Sequence, residues 1–283
     1  RTGFPNHLMA LCAEDRVASL LFECGIVDAW VSVQGRHGAE LFAGPDMVTG
    51  QVRIWLESCD LAIAWMEDLD GKLNETLKAV GARKAIVRSP FSIEIGAIHQ
   101  RDRFLETINE TSFGNIEDIR LAVPESFLHL GQASLDATGI PIGQPLAVIH
   151  PGSGSPHKCV PSEVLAAAID AMQGAGVTPV VLEGPADQQP VEHLLRSCRE
   201  SPILLKGLDL HTVAGILAQA DLYVGQDSGI THLAGLMGVR MVALFGPTDP
   251  VRWAPCGANV SVIQGAPCFC RSWEEVSRCE EKP

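Results

Sequence analysis

Apolar residues alternate along this chain between short continuous runs and longer stretches where they return every three or four positions. The first pattern suits buried strands and the second amphipathic helices. After a short apolar run at 7–11, the segment 14–24 carries Val17, Leu20, Leu21 and Cys24 at helical spacing. Residues 29–33, 61–64 and 85–87 read as strands, 98–110 as a helix, and 124–137 as a helix opened by its proline. The turn-rich Gly139-Ile-Pro-Ile-Gly-Gln-Pro145 is a break, and the domain boundary is placed there, giving 1–140 and 141–283.

Past the break the alternation is cleaner. Strands are predicted over 146–150, 178–182, 203–205, 222–224 and 241–245, and helices over 161–173, 188–198, 212–219 and 228–237. Strands and helices that alternate through short loops predict a doubly wound parallel sheet. The first half repeats the pattern less regularly, so the expected fold class is α/β, with two such domains and a cleft between them. A helix is also expected over 272–282.

Composition supports this reading. Of 283 residues, 46% are hydrophobic and only 5% aromatic, which suits helix-covered parallel sheets better than a β-sandwich. The net charge of −13 and the lack of a basic run argue against nucleic acid as a partner and against passive adhesion to an anionic membrane. At most peripheral membrane contact is expected, because no apolar stretch approaches the ~20 residues of a span. Nine cysteines are too sparse for a disulfide scaffold, so a reducing, cytoplasmic compartment is expected. Cys256, Cys268, Cys270 and Cys279 lack the paired C-x₂-C spacing of common zinc folds, and no metal is assigned to them.

Ligands of open parallel sheets bind at the carboxyl ends of strands, and three glycine-bearing loops fall there. In His150-Pro-Gly-Ser-Gly154, Gly152 and Gly154 let backbone amides approach a phosphate, Ser153 adds a hydroxyl, and Lys158 stands at the start of the next helix. A plain turn with a solvated lysine is the other reading. In Gly225-Gln-Asp-Ser-Gly-Ile-Thr-His232, Ser228 and Gly229 start a helix whose free amides attract an anion. Asp227 is its expected N-cap, and His232 either donates to a phosphate or leaving oxygen, or is a satisfied core residue. In Phe245-Gly-Pro-Thr-Asp-Pro250, Thr248 and Asp249 offer polar contacts from what is otherwise a rigid turn. Glu183 and Gly184 end a strand where a carboxylate can accept from ribose hydroxyls, with Asp187 and Glu192 as rivals.

The run Tyr223-Val-Gly-Gln-Asp-Ser-Gly-Ile-Thr-His-Leu-Ala-Gly-Leu-Met-Gly238, followed by Ala243-Leu-Phe-Gly-Pro-Thr-Asp-Pro250, resembles the signature of the bacterial heptosyltransferases, glycosyltransferase family 9. Ile149-His-Pro-Gly-Ser-Gly154 with Lys158 resembles their phosphate loop. Gly207-Leu-Asp-Leu before a helix is similar too, and Ile98-His-Gln-Arg-Asp-Arg-Phe104 fits an inter-strand helix of the family. The resemblance implies a GT-B fold of two Rossmann-like domains. It also implies inverting, metal-independent transfer of a heptose from a nucleotide sugar, ADP-heptose in most members, to a lipopolysaccharide-core acceptor. The nucleotide sugar is then a substrate and no cofactor is expected. By the same carry-over Ser153, Lys158, Asp227, Ser228, Gly229 and His232 hold the diphosphate and its sugar.

One departure bears on catalysis. The family's first strand ends in a Gly-Asp loop whose aspartate is its catalytic base, and no such loop stands near the start of this chain. The chain opens on Arg1 and its first elements are similar to the family's second strand and helix, so either the sequence is truncated or the chain as given is not competent, and the base is left unassigned. Two other readings share these features. A GT-B-type sugar-nucleotide epimerase would turn the donor over without an acceptor, and a nucleotide-binding module without a base would bind and turn nothing over.

Overall fold

The computed structural model describes residues 6–90, 98–108, 120–140 and 143–265. The chain forms two units, Arg1–Asn115 and Ile116–Pro283.

The first unit begins with β1 (Ala10–Ala13), α1 (Asp15–Glu23), β2 (Ala29–Ser32), α2 (Arg36–Ala43) and α3 (Gly50–Glu57). It continues with β3 (Leu61–Trp65), α4 (Lys72–Val80), β4 (Lys84–Arg88) and α5 (Gln100–Ile108). Strand–helix–strand connections make parallel neighbours, and β1 pairs with β2 and β3 with β4 in parallel. Leu41, Val52, Leu56, Leu73, Leu77 and Val80 of the helices pack together as a core. The expected face of α1 is only half right. Ala18 and Leu20 are buried, but Val17 is 45% exposed. Glu14 explains the start of α1, since its carboxylate accepts from the amides of Arg16 and Val17.

The second unit holds α6 (Glu125–Asp136), β5 (Leu146–His150), α7 (Ser162–Gly174), β6 (Thr178–Glu183), α8 (Gln188–Ser197) and β7 (Ile203–Lys206). It ends with α9 (Leu210–Leu217), β8 (Leu222–Gln226), α10 (Gly229–Leu236), β9 (Met241–Phe245), α11 (Pro250–Trp253) and β10 (Val260–Gln264). Six strands form one sheet in the order β10-β9-β8-β5-β6-β7, with every pair parallel. β5 is therefore central and buried along its whole length, as a strand covered on both faces must be. Ile149, Leu165, Ile169, Val181 and Leu194 fill one core cluster. Each fully buried side chain of this size is worth about 1.5–3 kcal/mol.

Helix α6 lies within the second unit, so the break falls upstream of the turn-rich stretch at 139–145. The contact that holds α6 is backbone against backbone. A Cβ on Gly215 of α9 would stand 1.8 Å from the carbonyl oxygen of Phe127, so glycine is required for the helices to meet. Strand β10 was not predicted, and its side chains are largely exposed. The predicted helix over 272–282, residues 109–110 of the predicted 98–110 helix, and Cys268, Cys270 and Cys279 lie outside the described residues.

Candidate functional site

The chain order of the second sheet creates one special place. From β5 the chain moves to β6 and β7 on one side, then crosses to β8, β9 and β10 on the other. Counted from β5, this is the doubly wound order 3-2-1-4-5-6, whose switch point is the gap between β5 and β8. The two loops that leave these strands carry Gly152 to Lys158 and Asp227 to Gly229.

Asp227 ties the loops together. Its Oδ2 lies 2.8 Å from Lys158 Nζ and accepts from Thr248 Oγ1 at 2.9 Å. Its carbonyl accepts from Ser153 Oγ. The Asp227 side chain is 7% exposed and that of Lys158 23%. Asp227 is therefore not the N-cap of α10. That role belongs to Ser228, whose Oγ accepts from the Thr231 amide. Lys158 is also displaced from its expected place. It ends a separate 3₁₀ turn, Pro156–Lys158, whose first amide is capped by Ser155, and α7 starts only at Ser162. Gln226 Oε1 accepts from the Val160 amide at 3.2 Å and anchors that turn to β8. Its buried Nε2 has no partner among the described residues.

Beneath the loops runs a buried polar chain. His150 Nε2 is 3.0 Å from Asp187 Oδ2, and His150 Nδ1 is 3.2 Å from Ser228 Oγ. Ser228 Oγ meets Thr231 Oγ1 at 3.0 Å, and Tyr223 OH meets Thr231 Oγ1 at 2.9 Å. Asp187 also accepts from the Gly184 amide at 2.9 Å. Burial alone would raise the Asp187 carboxyl. The hydrogen bond and charge of His150 and the Gly184 amide outweigh it and hold Asp187 below the usual carboxylate range. Burial pushes the Tyr223 hydroxyl up. Cys159, beside Lys158, is pushed to about 11 by burial and by Asp187, so it remains a thiol.

The expected residues divide into two groups. Gly152, Ser153, Gly154, Lys158, Asp227, Ser228, Gly229 and Thr248 all lie on the loops around the switch point. Gly154 and Gly229 have open space where a side chain would begin. The first amides of a helix have no intrahelical acceptor, so those of Gly229 and Ile230 remain after Ser228 has capped Thr231. His232, on the first turn of α10, is half-buried rather than sealed in the core. Glu183 and Gly184 lie at the end of β6, beside β5, and their polar groups are already engaged. Glu183 pairs with Lys206 at 3.1 Å, and the Gly184 amide is taken by Asp187. Sequence reading gave no role to His150, Thr231 or Tyr223, and named Asp187 only as a rival for ribose. Nothing in the spacing tells that Asp187, 37 residues from His150, ends up bonded to it.

A six-stranded parallel sheet with amides, a lysine and hydroxyls gathered at its switch point places the second unit among the doubly wound α/β proteins. The family model described as Glycosyltransferase family 9 (heptosyltransferase) matches residues 106–278, and the chain belongs to that family. It is 29% identical over 160 residues to lipopolysaccharide heptosyltransferase 3 of Escherichia coli strain K12, a match covering 55% of this chain and 45% of that protein. It is 30% identical over 91 residues to lipooligosaccharide heptosyltransferase 2 of Haemophilus influenzae, covering 30% of this chain and 26% of that one. The chain thus spans less than half the length of these curated relatives. In structure it is similar to a family 9 glycosyl transferase from Veillonella parvula, with a TM-score of 0.75 at 19% identity, covering 92% of this chain and 78% of that one. It is also similar to the E. coli ADP-heptose lps heptosyltransferase II, with a TM-score of 0.71 at 16% identity, covering 93% and 82%. These likenesses make the fold that of the GT-B glycosyltransferases, parallel sheets covered by helices.

Proposed function

We propose that this chain belongs to a glycosyltransferase that takes a nucleoside-diphosphate sugar, ADP-heptose first, and moves its sugar with inversion to a saccharide of the lipopolysaccharide-core type. The observation that carries the reading is the meeting of the β5 and β8 loops at the switch point of the second sheet. Family membership supplies the reaction class, and the donor is drawn from the similar E. coli ADP-heptose lps heptosyltransferase II.

The chemistry accounts for the residues. An acceptor hydroxyl oxygen bonds to the anomeric carbon as the bond from that carbon to the diphosphate oxygen breaks. The diphosphate leaves with the electron pair, and the hydroxyl proton goes to a base that is not assigned to any residue of this chain. Charge therefore grows on the leaving phosphate. The Gly229 and Ile230 amides, the Ser228 hydroxyl and Lys158 are the groups that meet it, with His232 as a donor toward the leaving oxygen. Fixed dipoles of this kind cost no reorganisation during reaction, and loss of one typically costs about 10²-fold or more in rate. In this reading no resident cofactor or metal takes part. The protein works in the cytoplasm, touching the inner membrane at most peripherally. None of the described helices is long and apolar enough to cross a membrane.

Calorimetric titration with ADP, UDP and GDP tests the proposal. Saturable binding that prefers ADP is the expected result. Preference for UDP or GDP would discard the heptose donor, and no binding of any of the three would reduce the loops to turns.

A further inference from the structure

The buried chain Asp187–His150–Ser228 constrains where protons can be. A carboxylate only accepts, so the nitrogen facing Asp187, Nε2, carries a hydrogen in either charge state of the ring. In the neutral ring Nδ1 is then bare, and only the Ser228 hydroxyl can donate across the 3.2 Å between them. The alternative acceptor for Ser228, Thr231 Oγ1, is just as inward. It spends its own proton on the Gln226 carbonyl. With a neutral His150, the one proton of Ser228 therefore points into the protein, away from the start of α10. If the ring gains a proton, Nδ1–H becomes a donor. Ser228 Oγ then accepts from His150 and from the Thr231 amide, and its own hydrogen, no longer drawn to Nδ1, is left for Thr231 Oγ1 or, when a phosphate is bound, for the anion site.

We propose that His150 and Asp187 are positioning residues for the phosphates. Binding of a nucleoside diphosphate takes up a proton at His150, and this turns the Ser228 hydroxyl outward as a phosphate donor. The inference rests on the nucleotide-binding reading above. Two observations and the charge of the ligand itself support it. The pair is buried, so imidazolium and carboxylate face each other without solvent screening. Asp187 is held in its charged form by its hydrogen bonds. A diphosphate next to Ser228 adds the negative charge that favours a protonated ring. The other ionisable groups around the chain are the Lys158–Asp227 pair, the Cys159 thiol, Tyr223, Glu183 with Lys206, and His157 and His232 at the loop and helix starts. Cys159 and Tyr223 stay protonated through neutrality. His157 and His232, both half-buried, are the rival proton acceptors, from which the His150 ring must be distinguished.

The test is titration with ADP-glucose, whose esterified phosphates have no second ionisation near neutrality. It is carried out in buffers of different ionisation enthalpy, so that protons taken up per nucleotide are counted. Uptake of a substantial fraction of one proton near pH 7 is expected, with affinity falling as pH rises, by up to about tenfold per pH unit. His150→Gln should abolish the uptake and flatten the pH profile, and His157→Gln should leave both in place. Ser228→Ala should bind more weakly at about pH 6.5 and lose most of the pH dependence. A merely structural His150 would instead lower affinity equally at every pH. Should His150→Gln not fold, nitrogen NMR of the His150 ring in the unaltered chain, free and saturated with ADP-glucose, decides the point. A ring that protonates on binding upholds the proposal, and one that stays neutral overturns it. Binding without proton uptake removes this inference and leaves the proposed function. If neither ADP-glucose nor ADP, UDP or GDP binds, both fall.

Discussion

Lys158 and Asp227 show what a single residue does at this site. Breaking a buried ion pair by removing its cation is a large penalty, typically about 3–5 kcal/mol, and Lys158 is the cation paired with Asp227 among the described residues. Lys158→Ala is therefore expected to lower stability by a few kcal/mol as well as weaken diphosphate binding. Adding Asp227→Asn should restore most of the stability and little of the binding, a split that urea unfolding and calorimetry on the two variants and the double variant would show. If Asp227→Asn restored binding as well, Lys158 would act only as a counter-ion to Asp227. The two glycines of the first loop make a sharper contrast. A Cβ at Gly152 would stand 1.7 Å from Asp187 Oδ1, whereas one at Gly154 meets nothing within 4 Å. Gly152→Ala should push Asp187 off His150 and cost about 1–3 kcal/mol, as overpacking does. Gly154→Ala should leave thermal unfolding nearly unchanged, and equal effects at the two positions would contradict this geometry.

At the scale of elements, local chemistry decides where helices begin. Asp209 caps α9 by accepting from the Thr212 amide at 2.7 Å, and the helix starts at Leu210, upstream of the 212–219 span that apolar spacing suggests. That amide, outweighing partial burial, holds Asp209 below the usual carboxylate range. Its folded value is depressed, so its contribution is present above the unfolded carboxylate value and is lost as pH falls through the lower folded one. Asp209→Ala should cost about 1 kcal/mol near neutrality, and the gap to the unaltered protein should close as pH falls below about 4. Asp209→Asn, which caps without charge, should start from a smaller gap near neutrality and move with pH by the same amount as Asp209→Ala, as thermal melts at several pH values would reveal. The same contrast marks what the sequence disclosed. Buried parallel strands are continuous apolar runs, so β5 and β9 were legible to the residue. Strand β10 was not, because its outward residues Ser261 to Gln264 are exposed and carry no burial pattern. Helices α2, α3 and α4 were missed as well. Their cores rest on one or two residues per turn, such as Leu41, Val52 and Leu73, among many charges. The loops of the site were legible because glycines, hydroxyls and a lysine at strand ends are local signals. The His150–Asp187 link was not, because tertiary packing alone creates it.

For the whole molecule, the loops described around the switch point all belong to the second unit, which has its own sheet and core. The first unit has a separate core built from α2, α3 and α4. Cores that do not share side chains can open independently, as sub-global unfolding does in many proteins. A ligand that binds only the folded second unit stabilises it by mass action, by about 2.7 kcal/mol at a hundred times its Kd. Hydrogen exchange with and without saturating ADP should therefore slow most at 150–160 and 226–232 and across the buried strands β5 and β8. The amides of β1 to β4 should change little. Slowing of similar size in both units would mean that the two cores unfold as one, and the loop contacts would then be reported through global stability instead of at the site. Repeating the comparison in Lys158→Ala separates these cases. The local protection should shrink with the lost affinity, while the exchange of β1 to β4 stays where it was.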